Sequence, residues 1–152
     1  MNPRLDYYSA SPKAMKAMIA MEALTSSLSI EPALLHLIKI RASQLNGCAF
    51  CTDMHSVDAR RLGETDRRLY SIVVWRDSNF FNPRERAALA WTEALTKMAD
   101  TAPDESSYKA LQAEFTETEI AHLTSAIGLI NAWNRIAAGL LFTPIIPTAT
   151  PV

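Results

Sequence analysis

The chain has 152 residues, 49% apolar and 20% charged, which suits one globular domain large enough to bury a core. A net charge of −1, a pI near 6.3 and the lack of any Lys/Arg run speak against nucleic acid as a partner. The most apolar stretch, 123–141, is broken by Asn131, Asn134 and Arg135, so it reads as a buried helix and no membrane association is expected.

Met1 to Pro12 shows no apolar run behind a positive start; no signal peptide is expected, and the cytoplasm is the default location. Ser11-Pro12 forms the N-cap and first position of a helix running to about Ser29, with Ala14, Met15, Met18 and Met21 expected to face the core. Pro32 starts a second, amphipathic helix through Leu34, Leu37, Ile38 and Leu45; it carries His36, Lys39, Arg41 and Gln44 and ends at Asn46-Gly47. A third helix carries Cys48, Cys51 and His55 and stops at Gly63. Thr65 caps a fourth over roughly Asp66 to Trp75, with Leu69, Ile72 and Val73 inward, and 76–81 is a loop. Asn82-Pro83 opens a fifth helix to Met98, packed through Ala87, Leu89, Ala90 and Leu95. A short helix follows over 105–115. Thr116 to Glu119 is a capping box for the last long helix, whose seam is Ile120, Leu123, Ile127 and Ile130, extended by Trp133, Ile136 and Leu140. The end, 142–152, holds three prolines and reads as an extended tail, either disordered or packed on a neighbouring subunit. No period-two alternation persists, only four glycines occur, and there is no phosphate-binding loop. The expected fold is a single all-α domain over 1–152 with about six to seven helices.

The chemistry concentrates in Asn46 to His55, which holds both cysteines and one of the three histidines. On a helix, Cys48 to Cys51 is i to i+3 and Cys51 to His55 is i to i+4, so two thiols and an imidazole share one face. Asn46 and Gly47 suit a turn or N-cap, which places Cys48 in the first turn, where the helix dipole favours a thiolate. A thioredoxin-type use of C-x-x-C requires a βαβ setting that is missing. A four-ligand zinc site can be assembled on paper from Cys48, Cys51, His55, His36 and His122, but the spacing is unlike that of zinc fingers. Two buried structural cysteines are the plain alternative. Dithiol redox catalysis suits the local chemistry: a thiolate attacks a peroxide, becomes a sulfenic acid, and condenses with the second thiol. A reductant then reopens the bridge by thiol–disulfide exchange.

The run from Leu37 to His55, LIKIRASQLNGCAFCTDMH, resembles the AhpD-like alkylhydroperoxidase branch of the carboxymuconolactone decarboxylase superfamily. The likeness continues through 58–60, 63–65, 68–70, Trp75-Arg76, 85–95 and 131–135, covering most of the chain. It implies an all-helical homotrimer or homohexamer that reduces organic hydroperoxides or hydrogen peroxide, with no bound cofactor or metal. An external dithiol of lipoyl or thioredoxin type would serve as reductant. By this resemblance Cys51 is the peroxidatic cysteine, Cys48 the resolving one, and His55 part of the proton relay. Where the family usually places a glutamate, twelve residues before the first cysteine, this chain has His36. If the second and third helices fold back at Asn46-Gly47, His36 lies level with His55 and serves either as a base or as a satisfied histidine without a catalytic part. The family's best-characterised relay also has a histidine between the cysteines, where this chain has Ala49-Phe50. Two rivals remain: a lactone decarboxylase, which does not rely on a C-x-x-C pair, and a non-catalytic redox-sensing or metal-binding module. Asn131, Asn134 and Arg135 either line the pocket or satisfy buried backbone and subunit contacts. The three tryptophans are expected in the core or an interface, His122 on the surface, and Asp53 as a helix N-terminal charge.

Overall fold

Proline and cap residues punctuate the chain so regularly that the helix boundaries follow from them. The computed structural model describes residues 2–144, and among these it contains eight α-helices, one 3-10 helix and no strand. The helices are α1 (Tyr7–Ala10), α2 (Pro12–Ser26), α3 (Pro32–Leu45), α4 (Ala49–Arg61), α5 (Asp66–Ser71), α6 (Pro83–Thr96), α7 (Glu105–Glu114) and α8 (Glu117–Gly139). None is long and apolar enough to cross a membrane. Pro12, Pro32 and Pro83 each begin a helix, where the missing N–H costs nothing. Asn82 with Glu85 and Thr116 with Glu119 form full capping boxes. The all-α expectation holds. Beyond residue 144 the proline-rich tail lies outside the described residues.

The core is built where α3, α6 and α8 meet. Leu37, Ile38, Leu89, Leu123, Ile127 and Ile130 are essentially inaccessible, and α7 adds Leu111 and Phe115. The seam expected for the last helix is therefore the one that is buried. Beneath α6 a polar knot replaces apolar contact. Glu93 accepts from the Trp75 indole N–H at 2.8 Å and from Arg41 Nε at 2.7 Å, and Arg76 adds an ion pair at 3.0 Å. Burial pushes the Glu93 carboxyl up, but these donors outweigh it and hold the group below the ordinary carboxylate range. Arg84 ties Glu31 to Glu119 while its guanidinium covers Phe115, fastening the starts of α3 and α8 together.

Two expectations need correction. In α2 only Met15 of the expected core stripe is buried, because the helix packs along a thin line against α8; Ala14 and Met21 are exposed. The fourth helix ends at Ser71 and continues as a 3-10 helix, Ile72–Asp77, with Val74 at non-helical angles (φ −120, ψ 29). That change of phase buries Ile72 and Trp75 but turns Val73 outward, 55% exposed. Ahead of α2, α1 is a four-residue turn of helix capped by Asp6, whose carboxylate accepts from the Tyr8 and Ser9 N–H groups.

Candidate functional site

Both cysteines owe their positions to one glycine. Gly47 sits at φ +65, a left-handed conformation that closes α3 with its N–H on the Gln44 carbonyl and the Cys48 N–H on the Ser43 carbonyl. The chain turns at once into α4, so Cys48 both ends one helix closure and caps the next. Its Sγ accepts from the Cys51 N–H at 3.3 Å. Cys48 is thus the N-cap and not a first-turn residue as expected; Cys51 occupies the first turn, near the positive end of the α4 dipole. Asn46 is the C-cap of α3.

The two cysteines form a disulfide with Cα atoms 5.4 Å apart, and each is only 2% exposed. The bridge packs against Ala137 of α8 and the side chains of Phe50 and Phe142. Asn46 locks the turn from behind: its side-chain amide donates to both Asn131 Oδ1 and Asn134 Oδ1 at 2.9 Å. Asn134, 1% exposed, in turn donates to Ser43 Oγ. Of the two roles open to these asparagines, the structure gives them the second, satisfying buried polar groups. Arg135 bonds back to Asn131 on the exposed side.

One turn beyond Cys51, His55 is 5% exposed and projects toward α3. There it meets His36, with ring centroids 5.6 Å apart, so residue 36 does lie level with His55. The Nδ1 atoms of both rings are buried without a hydrogen-bond partner among the described residues. Burial, then the Lys39 ammonium and the neighbouring His36, push the His55 pKa down to about 3, which keeps its imidazole neutral. His36 is lowered too, by burial and Lys39, against the opposing pull of Asp58 and Glu22. Lys39 is 4% exposed and forms an ion pair with Glu22 of α2.

The bridge has two faces. Cys51 and His55 line a cavity of about 800 Å³ whose other walls are largely apolar, among them Ile19, Phe50, Met54, Ile130, Trp133 and Phe142. The segment 3–8 closes one side, held by Arg4, which bonds through its backbone N–H to the Leu140 carbonyl and through Nη1 to that of Gly139. The lining includes the carboxylates of Asp6, Glu22 and Asp58 and, among the described residues, no Lys or Arg. Cys48 instead borders a shallower, polar depression with Ser43, Thr52, Asp53, Ser56 and Arg60.

The sequence did not single out Glu22, Asp58 or Phe142 for the site. Glu22 lies seven residues after Met15 on the buried line of α2, and Asp58 three after His55; these spacings were the available signal. His122 stands apart: half-buried, it accepts from the Ser29 N–H and pairs with the Ser29 hydroxyl, tying the α2–α3 connection to α8. Asp53 lies in the middle of α4, beside the polar depression. Trp75 and Trp91 are buried, and Trp133 faces the cavity.

Residues 12–94 match the profile of the Carboxymuconolactone decarboxylase family. The chain is 40% identical to the uncharacterized protein YdfG of Bacillus subtilis, over 92% of this chain and 95% of that one. It is 34% identical to the uncharacterized protein YnjA of Escherichia coli, over 73% of this chain and 60% of the other. A crystal structure from Agrobacterium tumefaciens, of a protein of unknown function suggested to be an antioxidant defence protein AhpD, superposes with a TM-score of 0.93. The two share 42% identity, over 95% of this chain and 99% of that one.

Proposed function

Since the chain belongs to the carboxymuconolactone decarboxylase family and carries a bridged C-x-x-C pair on an AhpD-like fold, we propose that it is a thiol peroxidase for small hydroperoxides. The observation that carries this reading is the division of the bridge between two surfaces: Cys51 on the apolar cavity, Cys48 on the polar depression. A neutral alkyl hydroperoxide suits a cavity with apolar walls and acidic edges; an anionic substrate does not.

In the reduced enzyme Cys51 acts as the nucleophile. Its position in the first turn of α4 favours the thiolate, and His55, one turn along on the same cavity, is the group placed to receive the thiol proton and pass it on. The thiolate attacks the terminal peroxide oxygen and the O–O bond breaks. Cys51 becomes a sulfenic acid, and the alkoxide takes the proton from His55 and leaves as the alcohol. The Cys48 thiol then displaces hydroxide from the Cys51 sulfur, giving the disulfide and one water. An external dithiol of lipoyl or thioredoxin type restores both thiols, its own sulfurs ending as a disulfide. His36 backs His55 in this relay. The protein works in the cytoplasm as a homotrimer or homohexamer and needs no bound cofactor.

The test is steady-state reduction of cumene hydroperoxide with excess dihydrolipoamide by the full chain, by Cys51→Ser and by Cys48→Ser. Multiple turnover in the wild type, lost in both variants, with a trappable sulfenic acid in Cys48→Ser alone, is the expected result. A wild type whose disulfide reduces and reforms but which does not turn over with this pair would refute the peroxidase reading in favour of a redox-sensing module.

A further inference from the structure

Two buried imidazole nitrogens without partners among the described residues, on rings 5.6 Å apart, are unusual, because an unsatisfied buried polar atom costs about 1–3 kcal/mol. His36 on α3 and His55 on α4 share this condition, and Asp58, one turn after His55, completes a cluster. One nitrogen of each ring and one carboxylate oxygen lie within 4.8 Å of one another. We propose that His36, His55 and Asp58 form a binding site for a divalent transition-metal ion of the zinc type.

The donor chemistry fits. Two neutral imidazoles and one carboxylate are the three protein ligands of many open zinc sites, which leave the fourth position to water or a ligand. Donors around a tetrahedral zinc lie roughly 3.4 Å apart, so closure from 4.8 Å requires only side-chain rotation. His55, 5% exposed, is the anchor held by the core. Asp58 is the adjustable donor: its partner Arg61 is an exposed residue on the same helix, and a pair of that kind holds it weakly.

The electrostatics fit as well. Lys39 is the cation nearest in effect to both rings, and Glu22 already neutralises it through their ion pair. With Glu22 spent on Lys39, the cavity that reaches His55 and Asp58 still carries the carboxylates of Asp6 and Asp58 and no cationic lining among the described residues, which favours a cation there. This donor set excludes both cysteines, which are bound to each other. It therefore differs from the Cys2His2 combination open to the sequence.

The site shares His36 and His55 with the proposed proton relay, so a bound ion would block that relay, but its readout is binding and stands whether or not the chain turns over peroxide. The tag-free full chain in its disulfide form is titrated with Co2+ by visible absorption and with Zn2+ by calorimetry, alongside His36→Ala and Asp58→Asn. One ion per chain is expected, without a thiolate-to-cobalt charge-transfer band, and each variant should bind about 100-fold more weakly or worse. Imidazole ¹⁵N NMR of the unsubstituted protein provides a measurement that does not depend on the variants folding: Zn2+ should shift one nitrogen of His36 and one of His55, leaving His122 in place. Lack of binding by the disulfide form, binding only after reduction with a charge-transfer band, or unchanged His36 and His55 resonances on Zn2+ addition would each overturn the proposal.

Discussion

The sharpest prediction concerns the turn that carries Cys48. Gly47→Ala places an L side chain at φ +65, where the left-handed conformation costs about 1–2 kcal/mol. The added Cβ meets nothing within 4 Å, so no clash enters and the cost is conformational alone. Alanine also restricts the unfolded chain, which returns about 0.4–1 kcal/mol. The net expectation is destabilisation by about 1 kcal/mol. Gly128 supplies the control. It lies inside α8, and a Cβ there also meets nothing within 4 Å. Gly128→Ala should therefore stabilise by roughly 1 kcal/mol through helix propensity. In a chain of this length each change moves Tm by about 2–4 °C, in opposite directions. The assay is thermal and urea unfolding of the oxidised protein at one fixed chain concentration. If Gly47→Ala is as stable as the wild type while Gly128→Ala behaves as expected, the left-handed turn is not what delivers Cys48 to the start of α4.

Other perturbations test the polar groups. Glu93→Gln removes the charge shared by Arg41, Arg76 and the Trp75 indole and should cost about 3 kcal/mol at neutral pH, read by urea unfolding. Because the folded pKa of Glu93 is depressed, its contribution is present above the ordinary value of 4.5 and is lost as pH falls through the lower folded value. The gap between wild type and Glu93→Gln should therefore narrow in acid; a gap unchanged down to pH 2 would contradict the linkage. If the proposed peroxidase reaction runs, His55→Gln should reduce its kcat/KM by about 10²–10⁴ while leaving the C-x-x-C pair able to form its disulfide. Loss of the disulfide itself in that variant would show a structural role instead.

What was legible in the sequence had local causes. Proline, Asn/Thr caps and Glu at the third helical position set the helix starts, and the spacing of apolar residues set the α8 seam, because both act within a few residues. The C-x-x-C-x-x-x-H spacing placed Cys51 and His55 on one face of α4 for the same reason, whereas Cys48, outside the helix as its N-cap, borders the other surface. His36 opposite His55 was legible only by assuming that the chain reverses at Asn46-Gly47, which it does. What escaped was tertiary. Nothing local marks Val73 as exposed; the 3-10 conversion that buries Trp75 against Glu93 decides it. Met21 satisfies helical spacing, yet α2 has too little protein beside it to cover more than a line. Glu22 was hidden because its partner, Lys39, lies on another helix.

Charge at the site is balanced across helices. α3 contains no acidic residue, so its buried Lys39 is neutralised from α2, by Glu22. This makes the packing of α2, otherwise thin, an electrostatic requirement. Lys39 is 4% exposed, whereas the Glu22 side chain is 31% exposed, so the two partners are not equivalent when alone. Glu22→Gln strands a buried ammonium and should cost about 3 kcal/mol. Lys39→Met leaves a carboxylate that water can reach, and should cost far less. The double variant should regain most of what Glu22→Gln loses, giving a coupling energy of at least about 1 kcal/mol in a double-mutant cycle of urea unfolding. Equal, additive losses would mean that the pair is solvated in both partners. In that case α2 is held to α3 by its few apolar contacts alone, and Glu22 is free to act on the cavity it lines.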